Sequence, residues 1–458
     1  MKLSVLAAAA CLVAASVAPA QWSEPVTVAE SLAAFGAGPE FVPLNGDTVW
    51  VFWIHGPSDT KVMARCFCAD TWRETQVLAS GQHGVYWPAA AVDDSGRLQA
   101  AFYEGSYPTV TAAQDTWGIY TMVRTNTGWS RPELAHTMGT AFPYEIELGQ
   151  DRDGRLGMVW DENAGGMSGL DSVMFSRQTQ SGWTPRCCIA PGSYPDVNCW
   201  GATLVPGRAS AFTVAWCRSE SGVAAVEVWD LDDSLTRPSV VLEGYQAVLA
   251  GSTGNRYVAY RRYDSLFARM DRGSGWAPEE LVATKLGRNR PGLCTDNMGW
   301  AWACWPDSAH RALMVSYNSG GSWSRPETAA TFTSLGNPAI GSDRNGRIHC
   351  VWFDHAPGTE GRLRHAVRLT RPGVEEGAGR KVRRTGSEPT VVRGTLFLPR
   401  DMTESPGNSD RVPRPALLNA AGRKSMELVP GANDVRQLAP GVYFVRRTSG
   451  VAKVVLTR

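Results

Sequence analysis

The chain has 458 residues, 43% of them apolar, with 18 tryptophans and 47 glycines, and 45 basic residues stand against 44 acidic ones. That length suffices for a large core or for two domains, and a net charge of +1 leaves no nucleic-acid footprint. The charge is uneven: residues 21–371 carry 29 basic and 36 acidic side chains, residues 372–458 carry 15 and 8, which sets a domain boundary near residue 372.

Met1 and Lys2 precede the apolar run "LSVLAAAACLVAASV", which ends in "APA". A basic start, a short apolar stretch and small residues at alternate positions predict a secretory signal peptide over residues 1–20, cleaved before Gln21. The run is shorter than the roughly 20 residues of a spanning helix. No later segment is long and apolar enough to span, so the expected mature protein is exported without a transmembrane segment. Export permits disulfides. Nine cysteines remain after Cys11 leaves with the signal. Cys199 or Cys217 are candidates to pair with Cys187 or Cys188, and the odd count leaves one thiol over. Cys66 and Cys68 share one face of an extended strand. Paired CxxC or HxxxH spacing is missing, so the cysteines read as structural, and no metal or cofactor is expected.

Two phrases then alternate along the chain. The first is a polar turn that delivers a tryptophan, followed by proline: "QWSEP" at Trp22, "DTWRET" at Trp72, "TGWSRPE" at Trp129, "SGWTPR" at Trp183, "SGWAPEE" at Trp276 and "GSWSRPE" at Trp323. "DDSLTRP", with Leu235 near the expected tryptophan, is a degenerate copy between Trp183 and Trp276, and "VRLTRPG" closes the series. The second phrase is a turn with glycine feeding an apolar strand, as in "DDSGRLQAAFYEG" from Asp93, "DRDGRLGMVWDEN" from Asp151 and "SDRNGRIHCVWFDH" from Ser342. The tryptophan turns fall roughly 40–57 residues apart and seven copies of the second phrase keep the same beat, the period of a propeller blade. A leading strand and a third strand, such as "PYEIELG" from Pro143 and "SVMFSR" from Ser172, complete each unit. The fold class expected is all-β: a seven-bladed β-propeller of four-stranded antiparallel blades over residues 21–371. Each tryptophan is expected to fill the wedge between adjacent sheets, and the proline after it to sit on an outer edge strand. Because the last unit lacks a tryptophan, the N-terminal "QWSEPVTV" is expected to complete the seventh blade.

"SYNSGGSW", from Ser316 to Trp323, resembles the Asp-box, S-x-D-x-G-x-x-W, of sialidase-like BNR-repeat propellers, with Asn318 in the aspartate position. The other copies keep mainly the Gly-Trp ending. The resemblance implies the fold and places the box on the face away from the pocket; it implies little about activity.

Residues 372–387, "PGVEEGAGRKVRRTGS", read as a flexible linker. Residues 388–458 then read as short strands split by turns, a small C-terminal β-sandwich. Asn419–Lys424, Leu438–Val445 and Lys453–Arg458 resemble, in order, the pieces of the C-terminal sorting domain of proteins exported by type IX secretion. That resemblance implies the type IX machinery as a partner, a Gram-negative host and a secreted or cell-surface location.

In a propeller, the loops after each second strand and the connections between blades share one face around the central pocket. On that face are expected His55, Glu104, Asp161, Glu162, Glu220, Arg262, Asp264, Asp307, Asp354 and His355, with His83, Tyr86, Trp87, Tyr144, Tyr194, Arg288 and Arg290 on the connections. Carboxylates and guanidinium groups bond hydroxyls and aromatic rings stack on sugar faces, so Trp87, Glu104, Tyr144, Asp161, Glu162, Arg262, Arg290, Asp307, Asp354 and His355 form the candidate ligand-binding set. Non-catalytic binding of a carbohydrate or a surface protein is the leading reading. The alternative is a glycoside hydrolase of sialidase type, which needs three arginines, a tyrosine with a glutamate, and an acid. The early Arg-Ile-Pro segment of sialidases is missing, "GPEFVPLNGD" standing in its place, and no catalytic residue is assigned. "DRDGR" and "SDRNGR" resemble acidic calcium loops but lack EF-hand spacing, so plain hairpin turns are expected.

Overall fold

The computed structural model describes residues 22–32, 38–44, 46–56, 60–80, 84–105, 117–139, 141–163, 171–193, 196–208, 211–231, 238–252, 254–355 and 361–368, and in the tail 390–393, 395–398, 416–419, 423–429, 431–447 and 450–457. The expected signal peptide and linker, and His83, Tyr194 and Leu235, lie outside the described residues. Two compact units divide near residue 374.

In the first unit the described residues form seven antiparallel sheets in chain order and no helix. Their innermost strands are Glu40–Pro43, Val85–Val92, Phe142–Gln150, Val197–Pro206, Tyr245–Gly251, Gly292–Thr295 and Ala339–Ser342. Each of these touches the next, and Ala339–Ser342 touches Glu40–Pro43 again, so the inner strands close a ring. This is the architecture of a β-propeller.

The second strands explain why the ring packs. The fifth residue of each is Trp53, Phe102, Trp160, Trp216, Tyr260, Trp305 or Trp352, and none is more than 2% exposed. A sheet buried on both faces needs this aromatic bulk at a fixed register. The hairpin turn before the strand is also a built device. Asp93, Asp151, Asp296 and Asp343 each accept the backbone N–H four residues on through Oδ1, at 2.8–3.0 Å. Their second oxygens take Gln99 (3.1 Å), Arg177 (2.9 Å), Trp302 (3.0 Å) and Arg347 (2.6 Å). In "DRDGR" and "SDRNGR" the leading aspartate is therefore engaged by N–H donors, as a hairpin turn requires.

The tryptophans reach backward round the ring. Trp129 of the second sheet meets Trp50 and Phe52 of the first edge-on at 5.9 Å and donates to Gln76 at 2.9 Å. Trp72 of the first packs at 5.0 Å on His365 of the seventh. Trp276 of the fifth donates to Ser239 of the fourth at 3.3 Å. After Trp72, Trp129, Trp183, Trp276 and Trp323 the next residue donates its N–H to a carbonyl seven residues earlier, as Ser130 does to Val123 and Ser324 to Tyr317, both at 2.8 Å. Pro238 opens the outer edge strand Pro238–Glu243 as expected, but Pro132, Pro185, Pro278 and Pro326 lie between tryptophan and outer strand, where no ladder N–H is required.

At the seventh sheet the partner comes from the other end of the chain. Val26–Leu32 pairs antiparallel with Gly361–Arg368, and Trp22 bridges Arg368. Ser23 donates to the Val367 carbonyl at 2.8 Å, and Trp22 Nε1 donates to Glu327 of the sixth sheet at 3.2 Å.

Where this sheet meets the first, His349 and His365 stack with their nitrogens 3.0 Å apart, 0% and 1% exposed. Phe41, Phe67 and Trp72 surround them. Asp343 lies 3.5 Å from His349, and Arg347 pairs with Asp343 and Asp70. Burial holds both imidazoles below the usual histidine range, His365 further because His349 and Arg347 adjoin it. The native state thus resists protons that the unfolded chain accepts near pH 6.5, so this contribution is complete at higher pH and is lost as pH falls. His365→Gln is expected to cost stability at pH 8 and distinctly less at pH 5.5, read from urea midpoints; an equal loss at both would refute it.

Among the described cysteines all nine are free; the expected pairing of Cys199 or Cys217 with Cys187 or Cys188 does not form. Cys199 and Cys217 are buried on two strands of the fourth sheet, whereas half-buried Cys187 and exposed Cys188 lie on the outer strand Cys187–Ala190 of the third. No helix among the described residues is long and apolar enough to cross a membrane.

The tail unit has a five-stranded sheet and a two-stranded one. Leu396 of the smaller sheet packs in one core with Leu417, Tyr443 and Val445 of the larger.

Candidate functional site

A cavity of about 250 Å³ lies at the ring centre, lined by residues from all seven sheets. Its chemistry comes from Glu40, Trp87, Glu145, Glu147 and Arg290. Four consecutive inner strands are bulged at the same place, and there Trp87, Glu145, Gly201 and Gln246 take φ of +55°, +44°, +69° and +53°. A left-handed non-glycine residue costs roughly 1–3 kcal/mol, and a bulge re-aims a side chain. The freed bulge amides find acceptors on the preceding sheet. Asp161 takes the Gly201 N–H at 2.6 Å and that of Ala202 at 3.3 Å. Cys217 takes that of Gln246 at 2.9 Å.

Arg290 is the cavity's cation. Its guanidinium lies 3.4 Å from Glu145 and 3.5 Å from Glu147 and donates to the Ala247 carbonyl at 3.1 Å. Its backbone N–H donates to Asn337 at 3.0 Å. Burial opposes its charge, but Glu147 and Glu145 outweigh that and hold its pKa above the ordinary value. Glu40 has no hydrogen-bond or ion-pair partner among the described residues. Burial and then repulsion from Glu147 raise its pKa well above the carboxylate range, with Arg290 pulling the other way. Glu147 is raised by burial and by Glu145, against Arg290. Asp161 is raised by burial and by Glu145, against its two backbone donors. The site is a set of mutually repelling carboxyls around one guanidinium, beside an indole.

Of the ten residues in the candidate ligand-binding set, Trp87 and Arg290 line the cavity, and Tyr144 packs on Trp87 at 5.9 Å. Asp161 stands just behind, 2% exposed, tied to the fourth sheet. The other six are engaged locally or at strand ends. Glu162 accepts from Arg186 at 2.9 Å and Trp160 at 3.2 Å, and Arg262 grips Glu279 at 2.8 and 3.1 Å. Asp307 holds His310 at 2.7 Å, Asp354 accepts the Thr333 N–H at 3.0 Å, and His355 packs against Phe353 at 6.3 Å. Glu104 ends its strand opposite Val85. Glu40, Glu145 and Glu147 were missed; the one available signal was the i, i+2 pair in "PYEIELG". Among the described lining residues there is one arginine and no tyrosine. No group of three His, Cys, Asp or Glu among the described residues is placed to hold a metal ion.

No protein-family model matches the chain, and no curated protein does. Among solved structures, a fungal alcohol oxidase of the AA5 family in complex with copper is similar over 96% of this chain and 100% of its own, at 13% identity and a TM-score of 0.52. The Hadza microbial sialidase Hz136 covers 70% of this chain and 76% of its own, at 13% identity and 0.43. A protein of unknown function from Dyadobacter fermentans covers 75% and 98%, at 12% identity and 0.47. At such identities likeness speaks to fold alone; the closed ring of sheets among the described residues makes the chain an all-β protein of β-propeller architecture.

Proposed function

We propose that the chain is a seven-bladed, sialidase-like propeller that binds a ligand in its central cavity without turnover, and that type IX secretion exports it through a C-terminal sorting sandwich. The observation that carries the binding reading is the cavity itself. Every sheet contributes to its wall, and acids, one guanidinium and an indole converge there. Planar ionic groups bond hydroxyls and an indole stacks on a sugar ring, so a carbohydrate is the first candidate, ahead of a surface protein. The export reading rests on the sequence: the leader of residues 1–20 and the ordered tail pieces in residues 388–458. The Asp-box reading of Ser316–Trp323 rests likewise on sequence.

A second reading, a sialidase-type glycosidase, draws on one observation. Glu40 and Glu147 repel each other within the cavity, and a carboxyl kept protonated is what a general acid requires. Against it stands the single arginine among the described lining residues, where a substrate carboxylate would need three.

Expressed with its own leader in a bacterium that has the type IX pathway, the full chain is expected on the surface or in the medium. The recovered protein is expected to be retained on a glycan array and to leave a fluorogenic sialoside intact. Retention in the periplasm would sink the export reading, an empty array the binding reading, and sialoside turnover would put the glycosidase in its place.

A further inference from the structure

The charge inside the cavity sorts the ligands it accepts. Arg290 balances one negative charge, and Glu145 and Glu147 both lean on it. Glu40 lines the same cavity from the first sheet, facing Glu147 and Arg290, and its side chain makes no hydrogen bond or ion pair among the described residues. Asp161 adds a fourth carboxyl behind the wall, its oxygens already taken by two backbone amides. A ligand bearing a carboxylate enters against this field, and a neutral ring leaves the carboxyls uncompensated. A primary ammonium supplies the missing positive charge and three donors. Trp87, set on its bulge at the cavity edge, offers a π-face that attracts a cation and stacks on a sugar ring.

We infer that the cavity takes a sugar carrying a free primary ammonium, an amino sugar, in preference to an acidic or a neutral one. This rests on the binding reading above. The ammonium settles against Glu40 and Glu147, and Trp87 covers the ring. Because a bound cation favours the ionised carboxyls, binding releases protons; the charged groups facing Glu40 are Glu147 and Arg290, and those facing Glu147 also include Glu145.

The test is calorimetric titration of the full chain at pH 6.5 with a glucosamine disaccharide, its N-acetylated counterpart, sialyllactose and lysine amide. The glucosamine disaccharide is expected to bind at least about tenfold more tightly than the N-acetylated one, with a heat that varies with buffer and reveals released protons, and to weaken as salt rises. Glu40→Gln, which removes the charge and keeps the shape, is expected to shrink the preference about tenfold, and Glu147→Gln gives an independent second variant. Thermal unfolding checks that each variant is folded. Equal or tighter binding of the neutral or sialylated sugar overturns the inference while leaving the binding reading intact, and equally tight lysine amide overturns its sugar component. Binding of none of the four overturns both.

Discussion

Removal of residues 21–32 is expected to open the ring. That segment supplies the outer strand of the seventh sheet, Val26–Leu32, and with it Val28, 2% exposed in a core with Phe41, Trp53 and Val351. It also supplies Trp22, which together with Arg368 engages Glu327 of the sixth sheet, the arginine at 2.7 Å. Without it, the Arg364 guanidinium loses the Pro25 carbonyl at 3.0 Å and Gly361–Arg368 becomes a bare edge. Losing a paired outer strand with its buried Val28 and a half-buried indole costs more than about 4 kcal/mol, and the exposed edge invites association. Urea unfolding and light scattering check this: the truncated chain should unfold at markedly lower urea and self-associate. A monomer with an unchanged midpoint would show that the ring does not depend on this closure. Trp22→Ala alone should cost about 2–3 kcal/mol.

The second large effect is at the ring centre. Arg290→Met removes the one cation among the cavity-lining residues and leaves Glu40, Glu145 and Glu147 facing one another. Uncompensated charge at a partly buried site costs about 2–4 kcal/mol, and the loss depends on pH with a definite sign. Glu40, Glu147 and Asp161 already have folded pKa values raised above their unfolded ones, so the native state binds more protons than the unfolded chain. Stability from this cluster therefore falls as pH rises above the ordinary carboxylate range. Arg290→Met widens that gap. The variant should be much weaker than the parent at pH 8 and approach it near pH 4.5, as read from urea midpoints. A loss independent of pH would mean that Arg290 acts by packing alone.

The contrast between fold and site shows what the sequence carries. Trp129 and Trp323 mark their turns because each copy repeats the same turn chemistry, with Ser130 and Ser324 hydroxyls capping Val123 and Tyr317 at 3.0 and 3.1 Å. Repetition makes such residues legible. The cavity acids lie on the inner strands, where the bulges at Trp87, Glu145, Gly201 and Gln246 interrupt the alternation that normally tells inside from outside. Glu145 and Glu147 thus read as ordinary polar positions of a strand, and Glu40 as the start of one. The rim acids were conspicuous in sequence because they end apolar runs. Glu162 and Asp354 are instead occupied by Arg186 and the Thr333 amide, which the folded sheets bring close, and Asp307 by His310 of its own turn.

The clasp between the two ends of the ring sets a schedule for the making of the molecule. Val367 accepts a hydrogen bond from Ser23 and donates to its hydroxyl across 344 residues. At roughly 5–20 residues per second of synthesis, the earliest-made strand waits on the order of 20–70 s for its partner. Through that interval the last sheet cannot be finished and the circle stays unsealed until Gly361–Arg368 has been made.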